Sequence, residues 1–201
     1  MHRREFSLGL AAALTTAMAA PACARQPAVA HAPWQARLRE LEARLGGGRL
    51  GASMLDTATG LTLGWRAHER FPMASSFKLL LAGWVLAQVD AGREGLDRRV
   101  VYESSALVPY SPMTERHVGE PGTTVGALCE ATVTLSDNTA ANLLLGRHGG
   151  PAGLTRYLRQ LGDTVTRLDR IEPELNEALA GDERDTTSPA AMLRSMQTLV
   201  F

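Results

Sequence analysis

The sequence predicts a protein of the mixed α/β (α+β) class, with helices and strands in separate stretches of the chain. First, a short helical pattern is followed by two extended segments joined by turn-forming residues, which is typical of a β-hairpin. Second, from Ser75 onward apolar residues recur with helical spacing in several successive segments. With 201 residues, the chain is long enough for one domain or two small lobes around a sizeable core.

The first predicted helix begins at Pro33, because proline is well tolerated in the first turn of a helix. Its apolar residues share one face, and they are Trp34, Leu38, Leu41 and Leu45. Glycines at 46–48 predict the end of this helix. Two strands follow at 50–55 and 61–66, and residues 56–60 join them as a hairpin loop.

The rest of the chain is predicted to be mainly helical. The helix over residues 75–89 is strongly apolar, and we therefore expect it to be buried. Residues 166–187 carry many charges with little periodicity, which predicts a long ordered loop. The other predicted helices cover residues 125–134, 139–145, 151–161 and a last segment from Ser188-Pro189 to 201.

Residues 1–24 have the composition of an export signal peptide. Arg3-Arg4 precede an apolar run over residues 8–20, and Ala22-Cys23-Ala24 offers a small-residue cleavage site. The paired arginines resemble a twin-arginine signal, and the apolar run is too short to span a bilayer. We therefore expect a periplasmic mature chain over residues 25–201, without stable membrane insertion after cleavage. The alternative is a lipid anchor at Cys23, although the residues before it form a poor lipidation motif.

Composition limits the partners and cross-links of the mature chain. The formal net charge is zero, with 21 basic and 21 acidic residues, so no nucleic-acid partner is expected. The five histidines show no metal-binding spacing, so no metal is expected. Cleavage after Ala24 leaves Cys129 as the one remaining cysteine, which predicts no intramolecular disulfide and a small buried side chain.

Lys78 is the only lysine in the sequence, although arginine is abundant. Arginine does not release its proton in proteins, whereas a lysine amine can act as a base. Codon bias that left one lysine by chance is the alternative explanation. Ser75 lies three residues earlier at a predicted helix start, so both side chains share one helix face. A hydroxyl, a nearby amine and the N–H groups of a helix start together suit acyl transfer.

Two further segments carry candidate functional residues. Ser136-Asp137-Asn138 lies between two predicted apolar helices, where an ordinary turn would explain it equally well. Residues 170–176 lie in the long loop, where a solvated run of charges is the simpler interpretation. Taken in order with Ser75-x-x-Lys78, these segments strongly resemble the class A serine β-lactamases.

The resemblance covers residues 33–201 and includes family-like sequences at 108–112 and 181–189. It implies a β-lactamase/transpeptidase-like fold, with a helical lobe and an antiparallel sheet lobe. It also implies hydrolysis of the amide bond of penicillins and cephalosporins, and hence antibiotic resistance. The implied partner is a small-molecule β-lactam, with no cofactor, and the full-length protein is expected to be a monomer.

The resemblance also implies roles for particular residues. Ser75 would be the nucleophile, and the base in acylation would be Lys78 or Glu172, a choice that is disputed for the family. Ser136 would relay a proton to the leaving nitrogen, and Glu172 would activate the water for deacylation. The implied substrate-binding residues are Asn138, Tyr110 and Asn176, and the implied loop-stabilising pair is Arg170 and Asp185.

The sequence departs from the family at one motif. The family has Lys-Thr-Gly or Lys-Ser-Gly on a later strand, and no lysine follows Lys78. We therefore expect an incomplete sheet and a catalytic domain truncated at its C-terminus, either as a fragment of a longer product or as a truncated gene. Half of the oxyanion hole would then be missing, and the chain alone is expected to be inactive. Alternatives are a penicillin-binding DD-peptidase-like protein, against which Glu172 with Asn176 argues, and a non-catalytic remnant.

Overall fold

The computed structural model describes residues 31–200, and the predicted signal peptide lies outside them. Six α-helices occur in the described part of the chain: α1 (His31–Ala43), α2 (Phe77–Asp90), α3 (Val125–Glu130), α4 (Asn138–Arg147), α5 (Gly150–Gln160) and α6 (Pro189–Val200). Six short strands are β1 (Ala52–Leu55), β2 (Thr62–Trp65), β3 (Phe71–Pro72), β4 (Arg99–Val100), β5 (Thr123–Thr124) and β6 (Thr186–Thr187). The predicted hairpin and the predicted helices are confirmed, with boundaries shifted by a few residues, except that the helix over residues 125–134 differs in its second half.

The strands form three separate antiparallel pairs in the described residues. β1 pairs with β2, with Ala52 opposite Trp65. The pairs β3–β6 and β4–β5 were not predicted, because each of their strands has only two residues and shows no alternating pattern. The β3–β6 pair is nevertheless important, since it joins the end of the 166–187 loop to the segment just before Ser75.

Helix α1 is attached to the hairpin mainly through Glu42. Its carboxylate accepts hydrogen bonds from Arg66 Nε at 2.6 Å and Trp65 Nε1 at 3.2 Å. The predicted apolar face of α1 is only partly covered: Leu38 is buried, whereas Leu41 and Leu45 are 37% and 50% exposed. Packing of α1 therefore rests more on this polar clamp than the sequence pattern predicted.

The core lies between the helices, with α2 at its centre. The prediction that this apolar helix is buried is confirmed, since Phe77, Leu80, Leu81 and Val85 are fully enclosed. Helix α6 packs against α2 at Gly83, where any β-carbon would approach the Leu199 side chain to 2.8 Å. No helix in the described residues is both long enough and apolar enough to cross a membrane.

The segment predicted as one helix over residues 125–134 differs in its second half. It is α-helical only over Val125–Glu130 and continues as a single π-helical turn over Ala131–Leu135. Residues 132–134 are all β-branched, which lowers their preference for a regular α-helix. Cys129 is buried as predicted, and burial raises the pKa of its thiol to about 11.

The start of the 166–187 loop is fixed to α6 by the buried carboxylate of Asp163. Its oxygens accept hydrogen bonds from the hydroxyls of Thr166 at 2.5 Å and Ser195 at 2.8 Å, and from the backbone N–H of Val165 at 2.9 Å. Burial alone would raise the pKa of Asp163, but these hydrogen bonds together hold it below the ordinary 3.8. The loop is thus ordered from its first residues.

Candidate active site

Ser75 and Lys78 lie together at the start of the buried helix. Ser75 belongs to a 3₁₀ turn (Ala74–Ser76) that leads directly into α2. Lys78 Nζ lies 3.2 Å from Ser75 Oγ, the distance of a hydrogen bond. Lys78 is only 2% exposed, which is unusual for a lysine unless its amine is fully partnered. The i, i+3 spacing therefore places the amine beside the hydroxyl.

Five oxygen atoms surround the Lys78 amine. Two of them can only accept hydrogen bonds: the Ser136 backbone oxygen at 2.8 Å and Asn138 Oδ1 at 2.5 Å. The others are Ser75 Oγ at 3.2 Å, Ser136 Oγ at 3.1 Å and Glu172 Oε1 at 3.0 Å. Two N–H groups are thus committed to fixed acceptors. The third position on the nitrogen faces groups that can exchange a proton.

Ser136 reaches this centre because its backbone adopts a left-handed conformation, with φ of 56°. That conformation ends the π-helical turn and is costly for a residue other than glycine. Asp137, which follows, is completely buried and caps α4 by accepting from Ala140 N at 2.8 Å. Its other oxygen accepts from Met113 N and Thr114 N, both at 2.9 Å. Asp137 therefore fixes the neighbouring 108–114 segment to the start of α4.

Tyr110 and Asn138 form the adjoining wall. Asn138 Nδ2 donates to the Pro109 backbone oxygen at 2.9 Å, and Asn138 N donates to the Tyr110 backbone oxygen at 3.0 Å. The Tyr110 side chain is 67% exposed, and its φ is 63°. The backbone turn thus directs this ring outward at the rim, where it is free to contact a bound molecule.

Glu172 is fully enclosed, with 0% of its side chain exposed. Oε2 accepts a hydrogen bond from Asn176 Nδ2 at 2.6 Å. Oε1 lies 3.0 Å from Lys78 Nζ as an ion pair, but accepts no hydrogen bond of good angle from the described residues. A buried carboxylate held on one oxygen and open on the other is arranged to accept a proton.

Asn142, on α4, is a site residue that the sequence did not indicate. Its Nδ2 donates to the Glu172 backbone oxygen at 2.9 Å, and its Oδ1 accepts from the Glu172 backbone N–H at 3.0 Å. This two-point clamp fixes the backbone of the loop at the residue that carries the carboxylate. No local pattern could have revealed it, because the partner lies 30 residues away.

The loop that carries Glu172 is closed at its base by Arg170 and Asp185. Arg170 Nε donates to Asp185 Oδ2 at 2.6 Å, and this hydrogen bond is the main cause that raises the pKa of Arg170. Asp185 Oδ1 also accepts from the backbone N–H groups of Asp169 at 2.7 Å and Arg170 at 2.9 Å. The carboxylate is almost completely buried, so this contact is shielded from solvent.

The nine residues proposed from the sequence lie at one centre, at its rim or in the adjoining loop. Ser75, Ser136, Asn138 and Glu172 surround the Lys78 amine, Asn176 supports the Glu172 carboxylate, and Tyr110 lies at the rim. Arg170 and Asp185 pair at the base of the loop. Among residues 33–200, whose side chains the structure describes, no group of three or more histidine, cysteine, aspartate or glutamate residues is arranged to hold a metal ion.

Comparison with known proteins gives the family. The family model described as the β-lactamase enzyme family matches residues 33–201. The chain belongs to this family. A solved ancestral class A β-lactamase is 62% identical, with a TM-score of 0.81, and the match covers 83% of this chain and 64% of that one. The class A β-lactamase of the last common ancestor of Gram-negative bacteria, GNCA4, gives the same identity and TM-score over 83% of this chain and 63% of its own.

These neighbours establish the class A β-lactamase fold for the described residues. A double mutant of the GNCA4 β-lactamase, 62% identical with a TM-score of 0.80, was solved with 5(6)-nitrobenzotriazole, a transition-state analogue. That match covers 82% of this chain and 62% of the mutant. The chain thus spans less than two thirds of the length of these structures.

Proposed function

We propose that this family member hydrolyses the amide bond of β-lactams through an acyl-enzyme on Ser75. The observation that carries the proposal is the position of the Lys78 amine, within 3.2 Å of oxygens from Ser75, Ser136 and Glu172. One amine can therefore pass a proton among a nucleophile, a proton donor and a buried carboxylate without moving far.

At the start of acylation the Lys78 amine is neutral, and the proton that it shares with Glu172 lies on the carboxylate. The Lys78 lone pair takes the Ser75 hydroxyl proton as Oγ attacks the carbonyl carbon, and the Ser75 N–H supports the developing oxyanion. The C–N bond then breaks. The leaving nitrogen takes the proton of Ser136 Oγ, and Lys78 replaces it across 3.1 Å. Protons and charge balance, and the product is an ester on Ser75.

Deacylation uses Glu172 as the base, once the proton it held has returned to Lys78 across their 3.0 Å contact. The carboxylate takes a proton from a water that attacks the ester carbonyl, while Asn176 fixes the second carboxylate oxygen. Ser75 Oγ leaves and takes a proton from Lys78, while Glu172 keeps the proton that it took from the water. Lys78 and Glu172 are then again in the state in which acylation begins. Asn138 Nδ2 and the exposed Tyr110 ring are placed to contact the substrate beside this centre.

The test is hydrolysis of nitrocefin by two polypeptides. The first is this 201-residue chain, and the second, called the extended chain, continues Phe201 with the C-terminal portion of the ancestral relative. We expect turnover by the extended chain only, because the Lys-Thr-Gly motif is absent from the 201 residues and one lost oxyanion donor can cost about 10²–10³-fold. A stable penicillin adduct without turnover would instead favour a DD-peptidase-like protein, and no reaction with either would favour a remnant.

We also propose that the protein is exported to the periplasm, where it would confer resistance to β-lactams. The support is the sequence of residues 1–24, with Arg3-Arg4, a short apolar run and a small-residue cleavage site. N-terminal sequencing of the exported protein is expected to give a start near Arg25. A lipid-modified N-terminal Cys23 would contradict this and assign a membrane anchor.

A further inference from the structure

An open groove of 460 Å³ lies between α5 and the first part of the 166–187 loop. This volume is within the range of small-molecule sites, roughly 300–1,000 Å³. None of the nine candidate site residues lines it. Its charged lining consists of four arginines and one aspartate: Arg70, Arg156, Arg159, Arg167 and Asp169. The excess of positive charge is local, since the whole chain has a net charge of zero.

The aspartate neutralises only one of the arginines. Asp169 accepts two hydrogen bonds from Arg167, at 2.9 Å from Nε and 2.6 Å from Nη2. This contact is the main cause that holds the pKa of Asp169 below its ordinary value. The other three guanidinium groups of the groove, those of Arg70, Arg156 and Arg159, have no carboxylate within hydrogen-bond distance in the described residues.

Arg70 is held in place by uncharged acceptors. Its Nη1 donates to the Val165 backbone oxygen at 2.9 Å and to Thr186 Oγ1 at 3.0 Å. Its nearest carboxylate is that of the exposed Glu183, at 3.9 Å from Nε. A long contact to an exposed group offsets little of a charge, so Arg70 is positioned but remains largely uncompensated.

Arg159 is fixed in the same way, and Arg156 is free. Arg159 Nη1 donates to the backbone oxygens of Asp163 at 2.5 Å and Thr166 at 2.7 Å. The Asp163 carboxylate itself is turned toward other donors in the buried cluster. Arg156 is exposed and makes no side-chain hydrogen bond or ion pair with residues 31–200. The groove thus presents two fixed guanidinium groups and one that can adjust to a ligand.

We propose that this groove binds a phosphate group. Phosphate carries more than one charge and has more acceptor oxygens than a carboxylate, so it can accept paired hydrogen bonds from more than one guanidinium. Because two of the arginines are already held by the fold, little side-chain freedom is lost on binding. The bound anion would join α5 to the loop and to the segment before β3. The site is separate from the proposed catalysis and does not depend on it.

The experiment is calorimetric titration of the 201-residue chain with inorganic phosphate and with pyrophosphate, at constant ionic strength set with sodium chloride. Saturable binding is expected, and Arg156→Gln is expected to weaken it roughly tenfold, as for one lost charge-assisted hydrogen bond. Arg44→Gln is the matched control, since Arg44 is also exposed, has no side-chain partner in the described residues and lies in the turn that follows α1, outside the groove lining. Circular dichroism checks that both variants fold like the parent.

A second arm distinguishes free phosphate from a lipid headgroup. Phosphatidylcholine vesicles with and without phosphatidylglycerol are sedimented with the protein. The ligand would be a lipid headgroup if the protein binds the phosphatidylglycerol vesicles, if Arg156→Gln weakens that binding and if inorganic phosphate displaces it. Binding of free phosphate without vesicle binding would assign a soluble ligand, and both results support the site. Absence of saturable binding in both arms, or equal weakening by Arg44→Gln and Arg156→Gln, would overturn the proposal.

Discussion

Replacing Glu172 by glutamine separates the two halves of the proposed reaction. The enclosed carboxylate faces two nitrogen donors, Lys78 Nζ at 3.0 Å from Oε1 and Asn176 Nδ2 at 2.6 Å from Oε2. Glutamine has the same shape but only one oxygen. In either orientation its NH₂ group therefore faces one of these two nitrogen donors.

Two effects of Glu172→Gln follow, and they have different magnitudes. Loss of a general base typically costs about 10²–10⁴-fold in rate, and here it falls on the water step. Removing one partner of a buried ion pair costs about 3–5 kcal/mol of stability when the other charge remains. We therefore expect an acyl-enzyme that forms and persists, in an extended chain that unfolds at lower denaturant concentration.

The assay combines mass spectrometry of the intact protein with steady-state hydrolysis by the extended chain. Glu172→Gln is expected to accumulate a penicillin adduct while turnover falls at least 100-fold, at the lower end of the general-base effect. Glu174→Gln is the matched control, since Glu174 is exposed on the same loop, and it is expected to leave turnover unchanged. Turnover by Glu172→Gln at the parent rate would refute the assignment of the base.

Three further changes test other contacts in the extended chain. Lys78→Arg is expected to abolish acylation although charge is kept, because arginine does not act as a base; substantial adduct formation would mean that Lys78 supplies charge only. Asn142→Leu removes both contacts to the Glu172 backbone. It is expected to lower kcat about tenfold or more with little change in KM, and an unchanged kcat would remove its positioning role. The pKa of Asp163 is lower in the folded protein than its ordinary value of 3.8. The ionised carboxylate therefore contributes its full stabilisation of the fold above about pH 3.8, and this contribution is lost as the pH falls through the lower folded pKa. As the pH is lowered from about 5 to 2, the urea midpoint of Asp163→Asn should fall less steeply than that of the parent chain. Equally steep falls would contradict this.

The sequence predicted the parts of the site that depend on local geometry. Ser75 and Lys78 share a helix face wherever they lie in the fold, so their contact follows from spacing alone. The pairing of Arg170 with Asp185 was expected only from the family resemblance. Asn142 was missed, because an asparagine inside an apolar helix gives no signal until α4 and the loop are brought together.

Backbone conformation was the least predictable feature. Four residues other than glycine with positive φ belong to the site or lie beside it: Ala74, Tyr110, Ser136 and Asp185. None of these positions has the glycine or the Asn-Gly pattern that would announce a left-handed turn. Such conformations persist only where surrounding contacts enforce them. The hydrogen bonds of the Asp137 carboxylate, which hold the 108–114 segment against the start of α4, are an example. They therefore depend on the assembled fold rather than on local sequence.

The most direct test of Ser75 as the nucleophile is the site of acylation in the extended chain. After brief exposure to a slowly hydrolysed β-lactam, intact mass is expected to show one adduct, and peptide mapping is expected to place it on Ser75. Ser76 and Ser136 serve as internal controls, since Ser76 is adjacent in sequence and Ser136 Oγ contacts the same Lys78 amine. An adduct on either of these, or hydrolysis that persists in Ser75→Ala, would contradict the role of Ser75 as the nucleophile.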